Sequence, residues 1–323
     1  MVPSNQELDF TVAICTYNGA SRLPYVLDTL RRQKNVEDLE WEVVVVDNNS
    51  SDGTADIVLS YQADWPDGCV LRYEYEPMPG KTNAVKRAFA SGRGRLVGFL
   101  DDDNVPDEHW VAAAIAFAEA HPRAGAFGGR ILPDYEGRPP DNIDAIEVVF
   151  AIVRYEEFFQ YPRGGPLGRM FAPGAGLVFR KQAWFESVPA RLKLSGPLGS
   201  SSLGLHEDME VQWHLYKHGW EIWHNPEMRI QHRIPPTRFD EQYLMRFFKE
   251  LALSRYKYRM LTYPWWQRPA ATVGYMGSDL AKLTRSLIAY YASSNHSLSL
   301  RCRLHMQKYL LISPLYVGLM RWK

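Results

Sequence analysis

Cysteine is scarce in this 323-residue chain. Cys15, Cys69 and Cys302 lie far apart and form no CxxC pair, so neither a zinc site nor a disulfide framework is indicated. Net charge is absent as well: 37 Lys and Arg balance 37 Asp and Glu. No global field therefore calls for nucleic acid as a partner. No run reaches the roughly 18 uninterrupted apolar residues of a spanning helix. The opening MVPSNQELDF lacks the basic and apolar regions of a secretory leader. These absences lead to the expectation of a cytoplasmic protein in a reducing compartment. The N-x-S matches at Asn48, Asn49 and Asn295 are then chance matches. What is present is ordinary globular composition, 46% hydrophobic and 23% charged, able to bury a sizeable core. Many of the 18 Tyr and 10 Trp fall in the second half, where a sugar-binding groove, a membrane-facing surface or plain core packing could use them.

The first half alternates strand and helix signals. Apolar, β-branched runs at 10–15 (FTVAIC), 42–46 (EVVVV), 71–75 and 96–100 (LVGFL) read as strands. Helical spacing follows each, over 23–33, 54–61, 81–90 and 108–120. In the first of these helices Leu23, Val26, Leu27 and Leu30 share one face. Such an order implies a mostly parallel sheet with helices on both faces. Ligands of such sheets bind outside the carboxyl ends of the strands. That rule selects three polar loops: Thr16-Tyr17-Asn18-Gly19, Asp47-Asn48-Asn49-Ser50 and Asp101-Asp102-Asp103-Asn104. Further on, 133–142 and 162–168 read as loops, 174–179 as a strand, and 196–204 (GPLGSSSLG) as either a lid or a plain surface connection. A helix over 206–218 carries Met209, Trp213 and Tyr216 as a buried stripe. Two short strands, 221–224 and 229–232, flank Asn225-Pro226, and helices over 244–261 and 276–291 follow.

Asp101, Asp102 and Asp103 repel one another, and a strand end tolerates all three if a cation is bound or if they are solvated. Side chains alternate along an extended segment, so Asp101 and Asp103 point the same way as an Asp-x-Asp pair. Hard oxygen ligands of this kind suit Mg²⁺ or Mn²⁺. Glu207 and Asp208 open a helix, whose N-terminus should keep them ionised near neutral pH. They read as helix capping or as a general base. His232 ends a strand some 24 residues later, as a structural histidine or as an imidazole ligand that suits Mn²⁺ better than Mg²⁺.

Taken in order, the segments VAICTYNGASRLPYVLDTL, VVVVDNNSSDGTADI, PGKTNAVKRAFASGRGRLVGFLDDDNVP, APGAGLVFRK and HEDMEVQWHLYKHGWEIWHNP resemble the family 2 glycosyltransferases of the GT-A fold. The resemblance spans roughly residues 9 to 235. It implies a Rossmann-like GT-A domain over 1–237, with a nucleotide-sugar half to about 105 and an acceptor half beyond, followed by a helical region over 238–323. It also implies roles. Thr16, Tyr17 and Asn18 would line base and ribose, Asp47 would accept from the base, and Asn49, Lys81 and Asp102 would lie near the nucleotide. Asp101 would contact the ribose. Asp103, with His232, would coordinate Mn²⁺ or Mg²⁺ on the diphosphate. Asp208 would be the base, with Glu207 beside it. Gly174, Ala175, Gly176 and His206 would border the donor sugar or acceptor. The implied reaction inverts the anomeric centre, moving a sugar from a nucleotide-sugar, UDP-sugar favoured, to a hydroxyl of a glycan or lipid-linked acceptor.

Two features depart from the processive members of that family. There is no Q-x-x-R-W segment, since Gln242-Tyr243-Leu244-Met245-Arg246-Phe247 is a loose echo, and no transmembrane bundle. Single-sugar transfer is the expectation. Beyond residue 240, Arg246, Lys249, Arg255, Lys257, Arg259 and Arg268 mix with Phe, Tyr and Trp, and 307–322 holds a short apolar stretch. Such helices suit peripheral contact with an anionic inner membrane face, packing on the catalytic domain, or a second subunit in an oligomer. Rival readings are a haloacid-dehalogenase-type phosphatase, with Asp101 as nucleophile in FLDDDNV, and a non-catalytic sugar-binding scaffold.

Overall fold

The structure, a computed structural model, describes residues 7–162, 171–194, 207–294 and 296–319. Its first half is built on β1 (Leu8–Thr16), β2 (Trp41–Asp47), β3 (Cys69–Tyr75) and β4 (Gly94–Asp101), all parallel, in spatial order β3-β2-β1-β4. β2 is buried along its whole length because both faces of the sheet are covered. Strand alternation sorts its valines: Val43 and Val45 join Phe10, Val12 and Trp110 in one core, while Val44 and Val46 join Ala84, Ala88 and Phe89 in another. The helices α1 (Leu23–Leu30), α2 (Thr54–Ala63) and α3 (Lys81–Ser91) make the crossovers, and α1 buries the four residues its spacing selected.

The second half continues the same sheet with β5 (Asn104–Pro106), α4 (Trp110–Ala120), β6 (Ala124–Tyr135), β7 (Phe159–Tyr161), β8 (Val178–Arg180), α5 (Lys181–Ser187), α6 (Glu207–Lys217) and β9 (Glu221–Ile234). Strand order is β3-β2-β1-β4-β8-β6-β9-β5, with β7 on β9. The long ladders are parallel, and the short ones made by β5, β7 and β8 are antiparallel. This is the mixed α/β, mostly parallel architecture expected.

Several local expectations change. The two short strands at 221–232 are one strand, β9, because a register shift between Gly128 and Arg130 of β6 absorbs Asn225 and Pro226. β6 itself extends to Tyr135, into a stretch read as loop. The strand at 174–179 shrinks to β8, since Leu177 N–H bonds back to Gly174 O and Gly176 takes a φ of 66°. On α6 the buried face is Glu210, Val211, Gln212 and Leu215, while Tyr216 is exposed. Polar groups won that face because they close loops: Glu210 accepts from Lys193 N (2.9 Å) and Leu194 N (2.6 Å), and Gln212 pairs with both backbone groups of Ala172. The segment 196–204, residues 163–168 and His206 lie outside the described residues.

A 3-10 turn at Pro236–Phe239 leads to α7 (Glu241–Leu261), α8 (Arg268–Ala292) and α9 (Leu298–Leu319). Here α9 replaces what read as a shorter apolar stretch. A third core joins this region to the sheet through Phe150, Ile234, Leu244, Phe248 and Cys302. Among the described residues no helix is long and apolar enough to cross a membrane.

Candidate functional site

Register brings the polar loops to one rim. Thr16 lies opposite Asp47, and Cys15 opposite Asp101, so β1, β2 and β4 end level. A cleft opens there, lined by Thr16, Tyr17, Lys81 and the three aspartates, with His232 arriving from β9. Asn104 of β5 is the register partner of His232, and Arg233 N–H bonds Asp103 O at 2.9 Å. That pairing sets Asp103 Oδ2 3.6 Å from His232 Nε2.

The three carboxylates do different things. Asp101 accepts from Lys81 Nζ at 2.6 Å, and its charge holds the Lys81 ammonium above its ordinary range. Asp102 points back into the protein. It receives Arg22 through two bonds of 2.8 Å and Thr16 Oγ1 at 2.5 Å. Gly19 makes this closure possible: a Cβ there would stand 2.0 Å from Thr16 Oγ1 and 2.6 Å from Asp102 Oδ2. Burial alone would raise the Asp103 carboxyl, but His232, Arg238 and Lys81 outweigh it and hold Asp103 below the usual carboxylate range.

His232 and Asp103 suit a divalent cation chemically. Nδ1 of His232 donates to Phe150 O at 2.8 Å, which turns Nε2 toward the Asp103 carboxylate, where the neutral ring offers a lone pair to a cation. The guanidinium of Arg238 now spans the pair, at 3.0 Å from His232 Nε2 and 2.8 Å from Asp103 Oδ2. No group of three or more His, Cys, Asp or Glu converges among the described residues. A cation here would therefore take two protein ligands, a carboxylate and an imidazole, and complete its shell with substrate oxygens and water; the imidazole suits Mn²⁺ better than Mg²⁺.

Asp208 lies at the start of α6. Its Oδ1 accepts Met209 N–H at 2.9 Å, and Gly174 packs so close that a Cβ would sit 3.1 Å from Oδ2. The helix terminus alone would keep its pKa low, yet burial dominates and pushes it up to about 6, against the opposing pull of Lys81. It remains ionised near neutral pH. Glu207 accepts Thr82 Oγ1 at 2.6 Å, which ties the start of α6 to the start of α3.

Other expected residues stand behind the rim. Asp47 is buried, with Oδ1 accepting Ser50 N at 2.9 Å and Oδ2 accepting Tyr73 Oη at 2.8 Å. Asn18 staples the first loop to the second through Ser50 and Ser51, and Asn49 accepts from Tyr75 Oη at 2.7 Å. Gly176 bonds Phe99 O through its N–H, and the partly buried Ala175 packs against the core. Sequence reasoning missed Arg22, Asn48 and Arg238. Asn48 holds the loop before Lys81, bonding Met78 O and Gly80 N. Asn48 stood in a selected loop and was open to discovery. Arg22 and Arg238 carry no local signal, because their partners are distant in the chain.

Known proteins share this arrangement in part. Residues 11–184, more than half of the chain, match the family described as Glycosyl transferase family 2. A dolichyl-phosphate beta-glucosyltransferase of Dictyostelium discoideum is 30% identical over 102 residues, 30% of this chain and 31% of that protein. An undecaprenyl-phosphate 4-deoxy-4-formamido-L-arabinose transferase of Shewanella sediminis is 32% identical over 107 residues, covering 32% of each. The chain thus spans about a third of the length of these curated relatives. Among solved structures, the mannosyltransferase PcManGT of Pyrobaculum calidifontis, in complex with GDP-Man and Mn²⁺, aligns with a TM-score of 0.59 at 20% identity, covering 98% of this chain and 88% of that one. S. aureus TarS 1-349 in complex with UDP aligns with a TM-score of 0.51 at 16% identity, covering 96% and 92%. At those identities the likeness shows the GT-A fold alone. With the family match the phosphatase reading of FLDDDNV falls away: this chain belongs to glycosyl transferase family 2.

Proposed function

We propose that this chain transfers a single sugar, with inversion, from a nucleotide-sugar to a hydroxyl of a glycan or lipid-linked acceptor, and that UDP is the nucleotide. The observation that carries it is the meeting of Asp103 and His232 at the carboxyl rim of the parallel strands, although they lie far apart in sequence. The donor occupies the cleft over residues 1–105, and the acceptor approaches from 106–237, with 238–323 as a helical appendage. Thr16 and Tyr17 line the nucleotide. Asp47, Asn18 and Asn49 hold the loops that shape its base pocket. Asp101 orients Lys81, whose ammonium lies between the aspartate triplet and Asp208 and faces the diphosphate.

Asp208 takes the proton of the acceptor hydroxyl as that oxygen attacks the anomeric carbon. A carboxylate of pKa about 6 is ionised at neutral pH and more basic than an exposed aspartate, which suits a general base. Glu207 fixes the start of α6 through Thr82, and Gly174 leaves room for the base. Mn²⁺ or Mg²⁺ held by Asp103 and His232, once Arg238 withdraws, would offset charge on the leaving diphosphate. The relatives that act on dolichyl or undecaprenyl phosphate support a lipid-linked acceptor.

Calorimetric titration of UDP, GDP and dTDP, with and without Mn²⁺, tests the donor site on wild type and Asp103→Ala. Metal-dependent binding of UDP that the variant loses is the expected result. Metal-dependent binding of GDP alone would overturn the choice of nucleotide. Absence of binding to any of the three by folded protein would sink the donor assignment and return the scaffold reading.

A further inference from the structure

Helix α8 is built with its polarity reversed. The face turned to the protein carries Tyr275, Asp279 and Ser286, all buried. Asp279 is held there by Arg259 of α7 through both guanidinium nitrogens, and Arg259 also lies 4.4 Å from the Tyr275 ring centroid. Thr272 pairs with Tyr256 at 2.8 Å. The face turned to solvent carries Val273 (72% exposed), Leu280 (53%), Ile288 (64%) and Tyr291 (79%). A helix that packs on a core places its apolar stripe inward. Here the stripe points away from Val273 to Tyr291, about 27 Å at 1.5 Å per residue.

Three features say what meets this stripe. First, its exposed charges are Lys282 and Arg285, with no exposed acid on the helix, because Asp279 is buried. At about 100° per residue Arg285 falls about 60° beyond Ile288, at one margin of the stripe, where a long side chain can lay its stem on apolar surface and lift the charge, while Lys282 falls about 60° further round, on the flank nearer the protein. Second, aromatic side chains stand at both ends: Trp265 (79% exposed) and Trp266 before the helix, Tyr291 at its close. Trp and Tyr favour the boundary between hydrocarbon and water. Third, a two-fold contact between copies would set the patch against itself, so Arg285 at its margin would meet no acid. Lipid phosphate supplies the missing negative charge.

We propose that the outward face of α8 docks this chain on a membrane surface containing anionic lipid, with the helix lying in the headgroup plane. The stripe enters the boundary region, Trp265, Trp266 and Tyr291 anchor its ends, and Arg285 pairs with phosphate. Docking through α8 is independent of the transfer chemistry. Joined to it, docking holds the chain at a surface where a lipid-linked acceptor is found.

Vesicle flotation tests this with the full chain. Vesicles of phosphatidylglycerol and phosphatidylcholine in equal parts are compared with vesicles of phosphatidylcholine alone. Wild type should float with the anionic vesicles, weakly or not at all with the neutral ones, and less as salt is raised. The variant Leu280→Asp/Ile288→Asp, altered at exposed positions, should lose roughly tenfold or more of that binding. Arg285→Glu should weaken the preference for anionic vesicles. No flotation of wild type, equal flotation on both vesicles, or unchanged flotation of the aspartate variant overturns the proposal. So does a wild-type dimer that Leu280→Asp/Ile288→Asp converts to monomer without vesicle binding by either, which would assign the stripe to a second copy. Nucleotide titration of the same variants should match wild type, so failure of docking is separable from failure of the transfer reading.

Discussion

Asp208 joins two demands that pull apart. Burial raises its pKa to about 6, and the reaction needs it ionised. The rate should therefore fall as pH drops through about 6, tenfold per unit once the carboxylate is mostly protonated. A pH profile of kcat/KM on a non-ionising acceptor measures this, and a profile flat from pH 8 to 5 would remove Asp208 from the base role. The same group destabilises the fold when charged. Its folded pKa lies above the unfolded aspartate value, so its contribution to stability is largest below about pH 4 and is lost as pH rises through 6. Asp208→Asn should lower kcat by roughly 10² to 10⁴ yet melt higher than wild type at pH 8, with the difference closing at acid pH. Arg238 makes a second prediction. It bonds both Asp103 and His232, where a cation would bind. Arg238→Met should tighten Mn²⁺ binding to the nucleotide-free protein by several-fold, read by Mn²⁺ paramagnetic resonance. Unchanged affinity would mean that arginine and metal do not compete.

Helix α6 shows what a sequence pattern can and cannot announce. Its position, its acidic start and its two candidate carboxylates were all legible, since a helix of this length leaves a periodic trace. Its buried face was not. Met209 and Trp213 do pack half-buried against the core while Tyr216 is exposed, but the fully buried positions include Glu210 and Gln212, because backbone groups at 172, 193 and 194 need partners. Such needs arise from loops distant in the chain and leave no mark on the helix itself. Glu210→Ala should strip one buried and one partly buried N–H group of their acceptor and cost about 2 to 3 kcal/mol, measured by urea unfolding. A loss under 1 kcal/mol would show that water replaces the carboxylate. The same logic runs through the site. Asp101, Asp103 and Lys81 follow apolar strands or open helices and were visible. The withdrawal of Asp102 onto Arg22 and of Asp47 onto Tyr73 was hidden, because both depend on which side chain a neighbouring strand or loop presents.

The C-terminal helices are tied to the catalytic rim by one residue with two roles. The ring of Phe150 belongs to the core shared with Leu244, Phe248 and Cys302, while its carbonyl oxygen accepts from His232 Nδ1. Helices α7 and α9 therefore brace the backbone that sets the tautomer and aim of His232. A boundary drawn at 237 from the change in sequence pattern describes the chain's periodicity but cuts through this core. Phe248→Ala removes a side chain that is 1% exposed and should cost about 3 to 5 kcal/mol. If the core couples the two regions as its packing implies, calorimetry should show one melting transition moving as a whole, not a separate early one. The folded variant should also bind Mn²⁺ several-fold more weakly, because His232 loses a rigid second partner. A split transition with Mn²⁺ affinity unchanged would make the helices an independent appendage. A single shifted transition with weakened Mn²⁺ binding would make them part of the machinery that holds the metal ligand in place.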